Sequence, residues 1–396
     1  MKKNLFYVLV LLSLLMDPMV LTRCVWDHSS ILEYIVGTIF LVIVALQIRG
    51  KTKHSKPIIV YVSVLIVYYL IDIVIFEGIG VVNSNTLGVY IQDFFALLYL
   101  LITIRAYEKG NLIKYLPVWF TFLTFICVIT IVCAVVYNAG GGFLFMRSEV
   151  MGYKVDQIPF ICMMHYNNAF GYVRPSWLFA EPSYLGFFLG FQLLIYFKYA
   201  WGYKKRKYLY IAIYILALFA TNSVTGFVCV AASVIYYIFS RFVKTPKFLL
   251  FLAVPLFIGA YNAFDRTEVM DDERVSGSSL ETRQLRMAWA LNELSNMDTE
   301  RLLFGNGRGY VESQHEKGVS NVYLQFLIAN GLIFVIMLCF LIYIILKRAD
   351  YEFFFAVLAF NSTEIALKPI TLLIFIIAYS YYLVNLKTSK SKVVIS

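Results

Sequence analysis

The sequence predicts an all-α integral membrane protein of about twelve transmembrane helices, with the N- and C-termini both cytoplasmic. Three observations carry this. Hydrophobic runs of about 16 to 25 residues recur along the chain, close to the 20 or so that a helix needs to cross a bilayer. The segments between them alternate in charge. And 61% of residues are hydrophobic while only 15% are charged, which leaves no room for a large separate soluble unit.

The runs are 5–21, 31–48, 57–76, 89–104, 115–137, 177–197, 208–221, 224–240, 248–263, 321–346, 351–366 and 369–386. With the N-terminus inside, every second connection is basic: Lys2-Lys3, 49–56, 105–114, 198–207, 241–247, Lys347-Arg348 and the tail from Lys387. Roughly 22 of the 34 Lys and Arg fall there, whereas about 21 of the 24 acids fall in spans or on the other side, so one orientation satisfies all twelve runs. The net charge of +10 therefore sets topology, and its placement argues against nucleic acid as a partner. The first run is followed by Asp17-Pro18 and Arg23 rather than by small residues of a cleavage site, so it reads as a retained span. Cys127, Cys133, Cys229 and Cys339 fall in spans as small apolar side chains. Cys24 and Cys162 fall outside, where a disulfide is chemically allowed, although their spacing does not point to one.

Five regions follow: N-terminal transmembrane helices over 1–137, a periplasmic loop over 138–176, central helices over 177–263, a large periplasmic loop over 264–320, and C-terminal helices with a cytoplasmic tail over 321–396. The two outer loops are long and every inner loop is short, which puts the working face outside. No internal repeat and no matching pair of broken helices points to an inverted-repeat transporter.

In the large loop, a helix near 280–297 has an apolar stripe of Leu280, Leu285, Ala288, Trp289, Leu291 and Leu294. Such a helix would lie along the membrane surface with Trp289 at the interface. Arg283 and Arg286 sit on another face, one turn apart, where two guanidiniums can hold a diphosphate. The plainer alternative is pairing with Glu281 and Glu293. Arg174 precedes Phe179-Ala180-Glu181-Pro182-Ser183 at the start of a span. Pro182 suits a first helical turn, with Glu181 beside the positive end of the dipole, either useful or simply paired with Arg174. Asn222, Ser223 and Thr225 interrupt two apolar runs, as a tight turn or as the polar floor of an outward-facing site. Gly305-Asn306-Gly307-Arg308-Gly309 lacks a dinucleotide fingerprint and reads as a turn that returns the chain toward the next span. His315, five residues before Ser320-Asn321, could act as a base or be inert. Asp72, Asp93, Glu364 and Lys368 lie near or within spans and read as helix–helix glue or rim residues.

Arg174 with Phe179-Ala180-Glu181-Pro182-Ser183, Asn222-Ser223-Val224-Thr225-Gly226, and an outer Arg-rich helix ending in Leu303-Phe304-Gly305-Asn306-Gly307, in that order among many spans, resemble the O-antigen ligase/polymerase superfamily. In particular they look like Wzy-type O-antigen and exopolysaccharide polymerases of Gram-negative inner membranes. The resemblance covers about 170–334, and the first 140 residues match only as spans. It implies a GT-C-like helical glycosyltransferase with no metal and no cofactor. A glycan on undecaprenyl diphosphate would be transferred to the non-reducing end of another lipid-linked repeat unit, with the lipid diphosphate leaving. Membrane lipids and a chain-length regulator would be further partners. The family's diphosphate-holding arginines correspond to Arg283, Arg286 and Arg174, while Asn222, Ser223, Thr225, Ser320 and Asn321 would line the substrate site. The ligase branch carries a His-Asn pair with a glycine ten residues after the Asn; here Asn321 and Gly331 keep that spacing, but Ser320 stands at the histidine position. That departure argues against ligation to lipid A core and leaves the general base open between Glu181 and His315. A flippase or exporter of lipid-linked sugars is the alternative from a different class.

Overall fold

The computed structural model describes residues 30–47, 56–77, 84–110, 116–150, 153–159, 161–167, 172–177, 179, 181–197, 207–239, 279–308, 310–311, 319 and 321–346. These residues are mostly helical. In chain order they form α1 (Ser30–Gln47), α2 (Lys56–Glu77), α3 (Ser84–Gly110), α4 (Leu116–Asn138), a 3-10 turn (Gly141–Leu144), strands β1 (Met146–Val150), β2 (Tyr153–Ile158), β3 (Cys162–Asn167) and β4 (Tyr172–Trp177), then α5 (Pro182–Ile195), α6 (Lys207–Thr221), α7 (Val224–Phe239), α8 (Ser279–Asn296), α9 (Thr299–Phe304) and α10 (Val322–Leu346). Eight of the twelve apolar runs coincide with these helices; the runs at 5–21, 248–263, 351–366 and 369–386 lie outside the described residues. Two helices, Pro117–Asn138 and Val322–Leu346, are long and apolar enough to cross a membrane, and Pro182–Ile195, Tyr208–Thr221 and Gly226–Ile238 are shorter apolar helices.

The all-α expectation needs correction. The 138–176 segment contains a four-stranded antiparallel meander, β1-β2-β3-β4. Pro175 has no N–H to give a ladder, and it sits on edge strand β4 beside a register shift at Met163/Met164, where a missing donor is tolerated. Asn138 docks the sheet on α4: its Nδ2 donates to the Val173 carbonyl at 3.2 Å and its Oδ1 accepts from the Val173 N–H at 3.3 Å. The Tyr137 hydroxyl donates to Asp156 on β2.

The core is aromatic-rich and runs through α1 to α7 and α10. Polar side chains join helices inside it, as where Trp119 Nε1 donates to Gln192 Oε1 at 3.1 Å between α4 and α5. The opposite faces are apolar and exposed: Ile39, Phe40 and Leu46 on α1, Val67, Leu70 and Val74 on α2, and Phe125, Val132 and Val135 on α4, with Leu46 at 71% and Val74 at 73% exposure. Helices α5 and α7 approach closely because Gly186 faces Ser223 and Gly226. A Cβ at Gly226 would come within 2.7 Å of the Gly186 carbonyl oxygen, so neither contact tolerates a side chain.

One helix is broken. Gly331, in the middle of α10, has φ 77° and ψ 174°, a conformation essentially closed to other residues. The carbonyls freed there are taken by the loop after α9. Asn306 N and Nδ2 donate to the Ile328 carbonyl at 3.0 and 3.1 Å, and Gly307 N donates to the Ala329 carbonyl at 2.8 Å. Tyr68 of α2 donates its hydroxyl proton to the Asn330 carbonyl at 2.6 Å. Partners for the carbonyls of Ile328, Ala329 and Asn330, inside an apolar run, are thereby supplied by protein. The 305–307 loop, expected to be a simple return turn, is the element that completes this helix.

Candidate functional site

Arg174 lies on β4, directly opposite His165 on β3. The His165 Nε2 is 3.0 Å from Ser176 Oγ, and the Ser176 hydroxyl donates to the Met163 carbonyl at 3.4 Å. With its proton so directed, Ser176 is left to accept from Nε2–H. Burial, and then the Arg174 guanidinium, push the His165 imidazole down to about 4, so it is neutral at physiological pH. The sequence reading passed over His165. Its signal was its place in a strand register with Arg174, and a segment read as loop offers no register.

β4 ends at Trp177, held at φ 50°, and leads into α5. Glu181 is the N-cap residue of α5 in extended conformation, and Pro182 occupies the first turn as anticipated. Glu181 does not cap the helix with its side chain; instead the Ser183 hydroxyl donates to Glu181 Oε2 at 2.8 Å. That bond orients the carboxylate as an acceptor.

Between α6 and α7, Asn222 is exposed at φ 44°, a conformation that asparagine adopts more easily than most residues. Ser223 is buried, and its Oγ accepts from the Gly226 N–H at 3.2 Å, an N-terminal cap for α7. The Thr225 side chain lies outside the described residues.

Helix α8 carries Arg283 and Arg286. Its buried face is Met287 and Ala290, with Ala290 in one apolar cluster with Val311, Val319, Ile328 and Ala329, against which Trp289 and Leu294 pack. Helix α8 is thus seated on α10 beside the break, and Arg286, one turn before Ala290, lies at the edge of the buried face. Of the two acids that offered themselves as partners for the arginines, Glu293 accepts from the Tyr310 hydroxyl at 2.6 Å, and the Glu281 side chain lies outside the described residues. Burial and the Glu293 carboxylate push the Tyr310 phenol up to about 12, so it remains a donor. Among the described residues, none accepts from the buried Arg286 Nε. The Arg283 side chain, His315 and Ser320 lie outside the described residues. Asn321 is buried, and its Oδ1 accepts from the Leu324 N–H at 3.1 Å, which caps α10.

A polar constellation gathers around Arg308. Its Nε donates to Asp93 Oδ2 at 2.5 Å, with side chains only 8% and 13% exposed. The guanidinium lies 5.0 Å from the ring centroid of Phe326. Tyr69 donates to the same Asp93 oxygen at 3.0 Å. The Arg308 backbone N–H donates to Tyr90 Oη at 2.9 Å, Tyr90 donates to Asp72 Oδ2 at 2.9 Å, and Asn330 Nδ2 donates to that oxygen at 3.0 Å. Asp72 and Asp93, to which the sequence assigned no partner, are therefore tied by donors from the 305–308 loop and the α10 break.

The expected site residues fall in three places, one of them the α6–α7 turn with Asn222 and Ser223. Arg174 and Glu181 belong to the β4–α5 junction, while Arg286 and Asn321 belong to α8 and the start of α10. Among the described residues no group of three or more His, Cys, Asp or Glu is placed to hold a metal ion. No family model, no curated protein and no solved structure matches the chain.

Proposed function

We propose that this chain is a multi-pass inner-membrane polymerase that transfers a glycan from undecaprenyl diphosphate to the non-reducing end of another lipid-linked repeat unit on the periplasmic face. Support for the twelve-span topology comes from the charge alternation and from the exposed apolar faces of α1, α2 and α4, which suit lipid and not water.

The observation that carries the enzymatic reading is the buried Nε of Arg286, which has no acceptor among the described residues, while Glu293 on the same helix accepts from Tyr310. A buried guanidinium donor left unmatched is costly, and an anionic ligand removes that cost. In the reaction proposed, the acceptor hydroxyl oxygen attacks the anomeric carbon and the bond to the lipid diphosphate breaks. Negative charge on the leaving diphosphate grows, so fixed arginines (Arg286, with Arg283 and Arg174) stabilise the transition state more than the ground state. A base accepts the hydroxyl proton, with Glu181 favoured over His315.

The α10 break gives the flippase reading a specific argument, since discontinuous helices form substrate sites in transporters. However, the carbonyls at this break are occupied by Asn306, Gly307 and Tyr68, which leaves them closed to cargo. A ligase is disfavoured by Ser320. Lipopolysaccharide banding in a deletion strain complemented with Arg286→Ala separates the readings. The polymerase reading expects one repeat unit retained on the core and no ladder, with partial rescue by Arg286→Lys, whose point charge lacks the planar fork. A full ladder with Arg286→Ala refutes diphosphate holding, and complete loss of attached units in the deletion strain points to a flippase or ligase.

A further inference from the structure

Two of the six cysteines meet where the sheet joins α4. Cys133 is in the last part of α4 and 6% exposed; Cys162 opens β3 and is fully buried. Both belong to one small apolar cluster with Phe145, Met164 and Val173. Both are free thiols, and the two elements that carry them, α4 and β3, pack against each other. Neighbours of the Cys162 sulfur are the Met164 thioether at 3.9 Å and the Met163 carbonyl at 3.5 Å.

We infer that Cys133 and Cys162 are a disulfide pair in the working protein, a covalent staple that ties β3 to the outer end of α4. The inference rests on the function proposed above in one respect only, that this end of α4 faces the oxidising periplasm. Two thiols buried in one cluster on packed neighbouring elements have the placement that a disulfide needs. The pairing crosses from helix to sheet and encloses β1 and β2 in the closed loop, so it constrains the unfolded chain substantially. It also anchors the strand on which His165 faces Arg174.

The chemistry places oxidation before the sheet docks. In the closed structure Cys162 is fully buried and Cys133 nearly so, out of reach of a protein oxidase. While the sulfurs are still open to water, one cysteine thiolate attacks the disulfide of a periplasmic thiol–disulfide oxidase, and the oxidase's first sulfur leaves as a thiolate. The second cysteine thiolate then attacks the chain's own sulfur in this mixed disulfide. That forms the Cys133–Cys162 bond and releases the oxidase's second sulfur. The two cysteine protons and the electron pair end on the oxidase dithiol.

The test is mass spectrometry of the full chain from membranes of a Gram-negative host, acid-quenched and alkylated in detergent without reduction. The expected result is a peptide pair joined at Cys133 and Cys162, lighter than the two free peptides by two hydrogens, and split into two alkylated peptides after reduction. Growth without the periplasmic thiol oxidase should shift most of the pair to the alkylated form. Full alkylation of both cysteines without reduction overturns the inference, as does a Cys24–Cys162 linkage in the wild-type chain. A parallel sample carrying Ser278→Cys, labelled in spheroplasts with an impermeant maleimide, separates the two ideas. An alkylated pair with Ser278→Cys labelled outside defeats the staple and leaves the orientation standing, whereas an alkylated pair with that cysteine protected until lysis defeats both.

Discussion

Arg308 and Asp93, 215 positions apart, form a buried ion pair in which the guanidinium Nε donates to the carboxylate at 2.5 Å. The pair fixes the loop after α9 against α3, and the same loop supplies the donors that repair the broken α10. Two desolvated charges are weak evidence for net stability, but their geometry selects one seating of the loop.

Removing either partner alone strands a charge in an apolar interior. Arg308→Ala or Asp93→Ala should each cost about 3–5 kcal/mol, whereas Arg308→Met combined with Asp93→Leu should recover most of that loss. Thermal midpoints of detergent-solubilised protein, read by size-exclusion fluorescence, measure the effect. Single variants as stable as the parent would show that the loop is seated by other contacts.

Gly305 and Gly331 are a matched pair. Their backbones stand at φ 87°, ψ −176° and φ 77°, ψ 174°, both in the region essentially closed to other residues. A Cβ at Gly305 would strike the Ala329 carbonyl, and one at Gly331 would strike the Leu303 carbonyl. Alanine at either position should cost more than the roughly 1–3 kcal/mol of backbone strain alone, because the loop and helix must separate as well. Gly140 is the control: it has φ 98° but nothing within 4 Å of a Cβ, so Gly140→Ala should lose only about 1 kcal/mol. Equal folded yields for all three variants would contradict the close approach of α9 and α10.

His165 makes stability depend on pH in a definite direction. Its folded value is lowered from 6.5 to about 4, so below about 6.5 the unfolded chain binds a proton that the folded chain refuses. Stability is complete above that value and falls as the pH drops toward 4, by about 3 kcal/mol in total. In His165→Gln this component is absent, so the parent should lose its midpoint faster than the variant between pH 7 and pH 4. Parallel curves for the two proteins would mean that the imidazole is solvated.

Helices were legible because apolar runs of spanning length leave little choice of structure, and Pro182 marked the start of α5 correctly. The sheet was not legible. Strands of five and six residues such as Met146–Val150 and Tyr153–Ile158 carry too short an alternation to stand out within a long polar segment. The break at Gly331 was hidden because Ala329-Asn330-Gly331 sits inside an uninterrupted apolar run. Asp72 and Asp93 each have one partner from a neighbouring helix, but the others, Asn330 and Arg308, lie more than 200 positions away, and no local spacing encodes such a pairing. Of the site, Arg286 was legible as a helix-borne cation. Its position at the edge of a buried face depends on how α8 meets α10, which is tertiary information.

The last prediction concerns the base. Ser183 donates to Glu181 Oε2 at 2.8 Å, which orients the carboxylate at the start of α5. Glu181→Gln keeps the shape and most of the hydrogen bonding but removes the basic oxygen, so polymer should be lost while the protein remains in the membrane. Ser183→Ala removes only an orienting bond of about 1 kcal/mol, so polymer yield should fall about fivefold and not vanish. His315→Ala should retain at least partial activity. These three variants, compared by ladder intensity at equal membrane protein levels, form an ordered series: Gln at 181 below Ala at 183, and Ala at 315 highest. An active Glu181→Gln variant beside an inactive His315→Ala variant would transfer the role of base to the histidine and leave Ser183 and Glu181 as a helix-start motif alone.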